Sequence, residues 1–129
     1  MENSDLVRVR YIVNNVGSAV AFYTGFLEFG VIAHPGAGFA MLSRGNLRLL
    51  LNMPGEGGGA GRTMPDGDVP SPGGWNRIQI IVDDLEQKIK DLKAKGAGFR
   101  NELVTGNGGK QILLQDPSGN LIELFELNR

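Results

Sequence analysis

Arginines stand at matched places in two parts of this sequence. Arg8 and Arg10 lie two residues apart in a run that alternates polar and apolar, and Arg77 and Gln79 do the same in a second run. Residues two apart share one face of a strand, so each pair can present side-chain donors together. A guanidinium offers paired N–H groups that suit an anionic, carbonyl or phenolate oxygen, but it has no lone pair to give a metal. Trp75 has the same parity as Arg77 and Gln79. It reads either as core or as a flat surface for stacking on an aromatic ligand. Other chemistry-bearing residues carry less. His34, the only histidine, precedes Pro35 in an expected loop and reads as a surface residue rather than a ligand. Asp83-Asp84 stands where a helix should start and reads as a cap. Asn107-Gly108-Gly109 reads as a tight turn, not a phosphate loop. The absence of cysteine removes disulfides, thiolate metal sites and a thiol nucleophile together.

The bulk properties narrow the partners. Thirteen Lys and Arg balance 14 Asp and Glu in 129 residues, for a net charge of −1. That balance gives no general attraction for nucleic acid. No apolar run approaches the ~20 residues of a membrane span, and the first residues lack the charged and apolar regions of a signal peptide. The expectation is a single cytoplasmic domain over 1–129, with no membrane or nucleic-acid partner.

The elements that must position these residues are written twice. The run 8–16 aligns without gaps on 77–85, and each ends in an Asn/Asp pair able to cap a following helix. Val16, Val20, Tyr23 and Leu27 then follow helical spacing, as do Leu85, Ile89 and Leu92. The second helix should end at Lys93-Ala94-Lys95-Gly96. Short strands are expected near 31–33 and 99–101, and hairpin strands near 39–43 and 111–115. The runs after Gly45-Asn46 and Gly119-Asn120 match as final strands, which aligns Leu49 with Glu123. The unit is β-α-β-β-β, with module 1 at about 6–52 and module 2 at about 75–126. Neither half closes a core alone, so the two sheets are expected to pair. Between the modules, residues 53–74 contain eight Gly and four Pro without periodicity and read as a linker or a functional flap, with Met53 and Met64 as candidate ligand contacts.

Val13-Asn14-Asn15-Val16 followed by Ala21-Phe22-Tyr23, then Ile81-Val82-Asp83-Asp84-Leu85, and above all Asp116-Pro117-Ser118-Gly119-Asn120-Leu121-Ile122-Glu123-Leu124 give the chain its resemblance to a known group. Over about 6–126 it resembles the vicinal-oxygen-chelate superfamily, which includes glyoxalase I, extradiol dioxygenases, fosfomycin-resistance transferases and bleomycin-binding proteins. The resemblance implies an α+β fold of two tandem βαβββ modules forming a concave sheet cup, usually in a homodimer. In metal-using members a His opens the first strand of each module and a Glu lies in the last strand. Carried onto this chain, those positions are Arg8, Arg77 and Glu123, with Leu49 as the repeat-equivalent of Glu123. Two guanidiniums beside one carboxylate make a poor cation site. No metal and no cofactor is therefore expected.

Two readings of Arg8, Arg77 and Glu123 stand side by side. They can form an ionic network that fills the vacated metal site, or the guanidiniums can hold a ligand oxygen while Glu123 orients them. Arg10, Leu49, Trp75, Gln79, Gln111 and Leu113 complete the expected ligand wall. The resemblance favours a metal-less branch like the bleomycin-resistance proteins: a homodimer that sequesters a hydrophobic, aromatic natural product or antibiotic and so confers resistance. The near-neutral charge points away from bleomycin and toward a planar polyketide-like compound. The alternative is a metal-free glyoxalase-like lyase or isomerase with Glu123 as general base and Arg8 and Arg77 as oxyanion stabilisers. A fold used only for protein contacts would leave the flap unexplained.

Overall fold

The computed structural model describes residues 5–55 and 59–128, so Glu56, Gly57 and Gly58 of the expected flap lie outside the described residues. The chain divides into two compact units, Met1–Pro72 and Gly73–Arg129. The first runs β1 (Val7–Ile12), α1 (Val16–Phe26), β2 (Gly30–Gly36), β3 (Phe39–Arg44) and β4 (Leu47–Asn52). The second runs β5 (Arg77–Ile81), α2 (Leu85–Ala94), β6 (Val104–Thr105), β7 (Gly109–Gln115) and β8 (Leu121–Leu127). Each forms a mixed four-stranded sheet, in the orders β1-β4-β3-β2 and β5-β8-β7-β6. This is the α+β tandem βαβββ fold.

The helices begin where the Asn/Asp pairs placed them. Asn15 Oδ1 accepts from Ser18 N at 2.8 Å, and Asp84 Oδ1 accepts from Gln87 N at 3.1 Å. Each cap satisfies an amide that the first turn leaves without a partner. α1 buries Val16, Ala19, Phe22 and Tyr23. On the sheet, Leu42, Leu49, Ala40, Leu51 and Tyr11 share a face by register and are buried. An edge-to-face pair of Tyr23 and Phe29, with ring centroids 5.4 Å apart, adds to this core. In the second unit α2 buries Leu85 and Leu92. The buried side of its sheet consists of Ile80, Ile112, Leu114, Ile122 and Leu124.

Two short strands depart from expectation. β2 runs on through His34 and Pro35, which the sequence had suggested as loop. It is the outermost strand of its sheet, where a proline removes no ladder bond that a neighbour needs. The strand expected at 99–101 is reduced to a bridge between Phe99 and Leu114, and β6 forms later, at Val104–Thr105. Arg100 N does donate to Leu113 O at 2.8 Å, but the answering donor, Leu113 N, goes to Asn101 Oδ1 at 3.2 Å. A side chain has taken the carbonyl's place, and the ladder stops.

Among the described residues, no helix is long and apolar enough to cross a membrane. The described part of 53–74 has hydrogen bonds of its own. Gly55 N donates to Gly61 O, Gly67 N to Met64 O at 2.9 Å, and Met64 N to Asp68 O at 2.7 Å. Gly61 is required by its surroundings, since a Cβ there would overlap the carbonyl of Met53.

Candidate functional site

Each sheet has one face against its helix and one face away from it. In the second unit the latter holds Arg77, Gln79, Glu123, Gln111 and Leu113, grouped by the pairings Gln79↔Glu123 and Leu113↔Glu123 and by alternation. Glu123 is only 6% exposed. Its two oxygens are both engaged. Arg77 Nε donates to Oε1 at 2.9 Å and its Nη2 lies 2.9 Å from the same oxygen, while Gln79 Nε2 donates to Oε2 at 2.7 Å. Arg77 Nη1 also donates to Trp75 O at 3.3 Å. The carboxylate is thus enclosed by fixed donors, as a buried charge must be.

Trp75 is 64% exposed, which removes the core reading of this residue. The Arg100 guanidinium lies 4.4 Å from its ring centroid, a cation–π stack that the sequence did not reveal because the two residues are distant in the chain.

In the first unit the face away from the helix carries Arg8, Arg10 and Ile12 of β1. Across β4 and β3 it continues with Arg48, Leu50 and Asn52, then Ser43, Met41 and Phe39. Arg10 Nη1 donates to Asn52 Oδ1 at 2.7 Å, and Asn52 is 3% exposed. Arg48 Nη1 turns back to its own hairpin, donating to Gly45 O at 2.9 Å and Leu47 O at 3.2 Å. Arg8, Val9, Arg10 and Leu50 line a cleft of about 330 Å³.

Leu49 requires a correction. It was aligned with Glu123 on the expected ligand wall, yet it is fully buried on the helix side, paired with Val9 and Leu42. Val13 N donates to Asn52 O where Val82 N donates to Phe125 O, so Asn52 matches Phe125 and Leu50 matches Glu123. The cause is turn length. β3 and β4 are joined by two residues, Gly45 and Asn46, with Arg44 paired to Leu47. Gly45 has φ +57°, as the first position of a tight hairpin turn with a glycine there requires. β7 and β8 are joined by the five residues 116–120, with Gln115 paired to Leu121. Matching the two Gly-Asn pairs shifted the strand by one, and one residue exchanges the faces.

The Asp-Pro-Ser-Gly-Asn run itself serves this loop. Asp116 Oδ1 accepts from Ser118 N and Asn120 N, each at 2.9 Å, and Oδ2 accepts from Asn120 Nδ2 at 3.0 Å. Met53 N donates to Gly38 O at 3.2 Å, and Met64 is 40% exposed. His34 is exposed on β2.

A divalent cation does not fit the residues at the positions that the resemblance assigns to a metal. Arg8 and Arg77 cannot ligate, and both oxygens of Glu123 are already held. Among the described residues no three His, Cys, Asp or Glu side chains gather closely enough to hold an ion.

The comparisons agree with this fold. No functionally curated protein matches the chain by sequence. TnmS3, an antibiotic binding protein from Streptomyces sp. CB03234, is similar in structure, with a TM-score of 0.72, 21% identity and 99% of each chain covered. Lactoylglutathione lyase from Agrobacterium tumefaciens gives a TM-score of 0.71 at 17% identity, covering 95% of this chain and 93% of that one. A glyoxalase/bleomycin resistance protein/dioxygenase superfamily member from Sphaerobacter thermophilus DSM 20745 gives 0.72 at 23% identity, covering 94% and 95%. The family model of the Glyoxalase/Bleomycin resistance protein/Dioxygenase superfamily matches residues 5–124. With nearly its whole length matched, the chain belongs to that superfamily.

Proposed function

We propose that this protein binds a hydrophobic, aromatic small molecule and releases it chemically unchanged, without a metal. The observation that carries this reading is the state of Glu123. Arg77 and Gln79 engage both of its oxygens, so the carboxylate is already committed as a partner of its own strand neighbours rather than presented free to a substrate proton. Structural likeness to an antibiotic-binding protein supports the same reading. Ligand contacts would come from a helix-free sheet face; on that of the second unit Trp75 would offer a stacking surface. The biological role would be resistance by sequestration, exercised by a cytoplasmic homodimer.

The test is a panel of planar polyketide-like aromatics screened by quenching of Trp75 fluorescence. Binders are then incubated with the protein and analysed by mass spectrometry and NMR, which also detects an isomer of equal mass. We expect each compound to be recovered intact. Product accumulating beyond one equivalent, and abolished in Glu123→Gln, would replace the binding reading with the lyase. Elemental analysis should find well under one Zn, Ni, Mn or Fe per chain, and light scattering should report twice the chain mass.

A further inference from the structure

Arg8 and Arg10 of the first unit have no ion pair among the described residues. In the second unit Glu123 pairs with Arg77. In the first, the matching position is Leu50, so the equivalent of that carboxylate is missing. Arg8 and Arg48 are direct cross-strand neighbours, and Arg8 and Arg10 lie two apart on the same face. Like charges placed so closely oppose each other. Arg10 is held by Asn52, a neutral amide that fixes the guanidinium without cancelling its charge. Arg48 is drawn toward the hairpin carbonyls. Arg8 has neither a side-chain hydrogen bond nor an ion pair among the described residues, and with Arg10 it lines the cleft beside the apolar Leu50.

We propose that this cleft is an anion site. The ligand carries a carboxylate or phenolate oxygen that the Arg8 and Arg10 guanidiniums hold in place of the missing carboxylate, and its apolar ring lies against Leu50. The ligand class is then an aromatic organic anion rather than a neutral hydrophobe. This rests on the small-molecule-binding reading above and adds the sign of the ligand's charge and the unit that reads it. Arg10, oriented by Asn52, supplies a fixed donor. Arg8 supplies the mobile one, and its donors are not committed elsewhere.

The experiment compares 2-naphthoate with 2-naphthamide, which share a ring system and differ in charge. Calorimetry and amide chemical shifts report affinity and location. Naphthoate should bind at least about tenfold more tightly than naphthamide, with shifts centred on β1 and β4 and a preference that narrows as salt rises. Arg8→Gln should reduce the preference to within about twofold, and Arg8→Lys, which keeps the charge, should retain part of it. Leu50→Glu, which supplies an internal carboxylate as in the second unit, should abolish it. Equal binding of the two probes, or a preference unchanged in Arg8→Gln, overturns the anion site and leaves the binding reading standing. Failure of naphthoate to bind at about 1 mM, while panel compounds still bind, does the same. Turnover of a panel compound overturns the binding reading and not the anion site.

Discussion

The second unit holds a carboxylate where the first holds a leucine, and the two arginines at matching places consequently differ. Arg77 is tied to Glu123 through two nitrogens, and its side chain is 29% exposed. Arg8 stands on the same kind of strand, at the same step, beside Leu50. The backbones repeat while the electrostatics do not. A duplicated module need not carry two copies of a site. One copy can become a self-satisfied polar cluster, while the other keeps its donors for something that arrives from outside.

Mutations should separate the two modules. Asp116→Ala removes the acceptor of three hydrogen bonds in the long loop of the second unit and should cost about 3 kcal/mol in urea unfolding. The two-residue turn of the first unit depends on backbone conformation instead, so Gly45→Ala should cost only about 1 kcal/mol. Arg77→Ala leaves the carboxylate of Glu123 with Gln79 as its remaining described partner and should cost roughly 2 kcal/mol, reduced from the fully buried case by the partial exposure of Arg77. Arg8→Ala should change stability by no more than about 0.5 kcal/mol. Equal losses for the two arginines would erase the distinction between them. At the helix caps the modules should agree, with Asn15→Ala and Asp84→Ala each costing about 1 kcal/mol.

Much of this organisation was legible in the sequence. Alternation in 8–13 and 77–82, the Asn/Asp caps and the helical spacing of Val16, Tyr23, Leu85 and Leu92 all describe interactions between near neighbours, and these gave both modules. What failed depended on pairing across strands. The position of Leu50 follows from how many residues separate β3 from β4, and a match of Gly-Asn to Gly-Asn conceals that number. The late start of β6 depends on the Asn101 side chain reaching Leu113 N. The stack of Arg100 on Trp75 joins residues that no local pattern connects. Arg77, Gln79 and Glu123 could be grouped beforehand, the first two by parity and the third through the resemblance. That both oxygens of the carboxylate would be engaged by the other two required the geometry.

Pro35 bears on how the protein keeps its chains apart. β2 ends the first sheet and exposes Val31 and Ile32 at 51% and 54%. An outermost strand with exposed apolar side chains is a template on which another chain can extend the sheet and begin a fibre. Pro35 contributes no N–H, and two register shifts, between Val31 and Ala33 and between Ala33 and Gly36, disturb the spacing of the remaining groups. An incoming strand therefore meets an interrupted row of donors and acceptors. The same proline that the sequence suggested as a loop residue guards the sheet against unlimited growth.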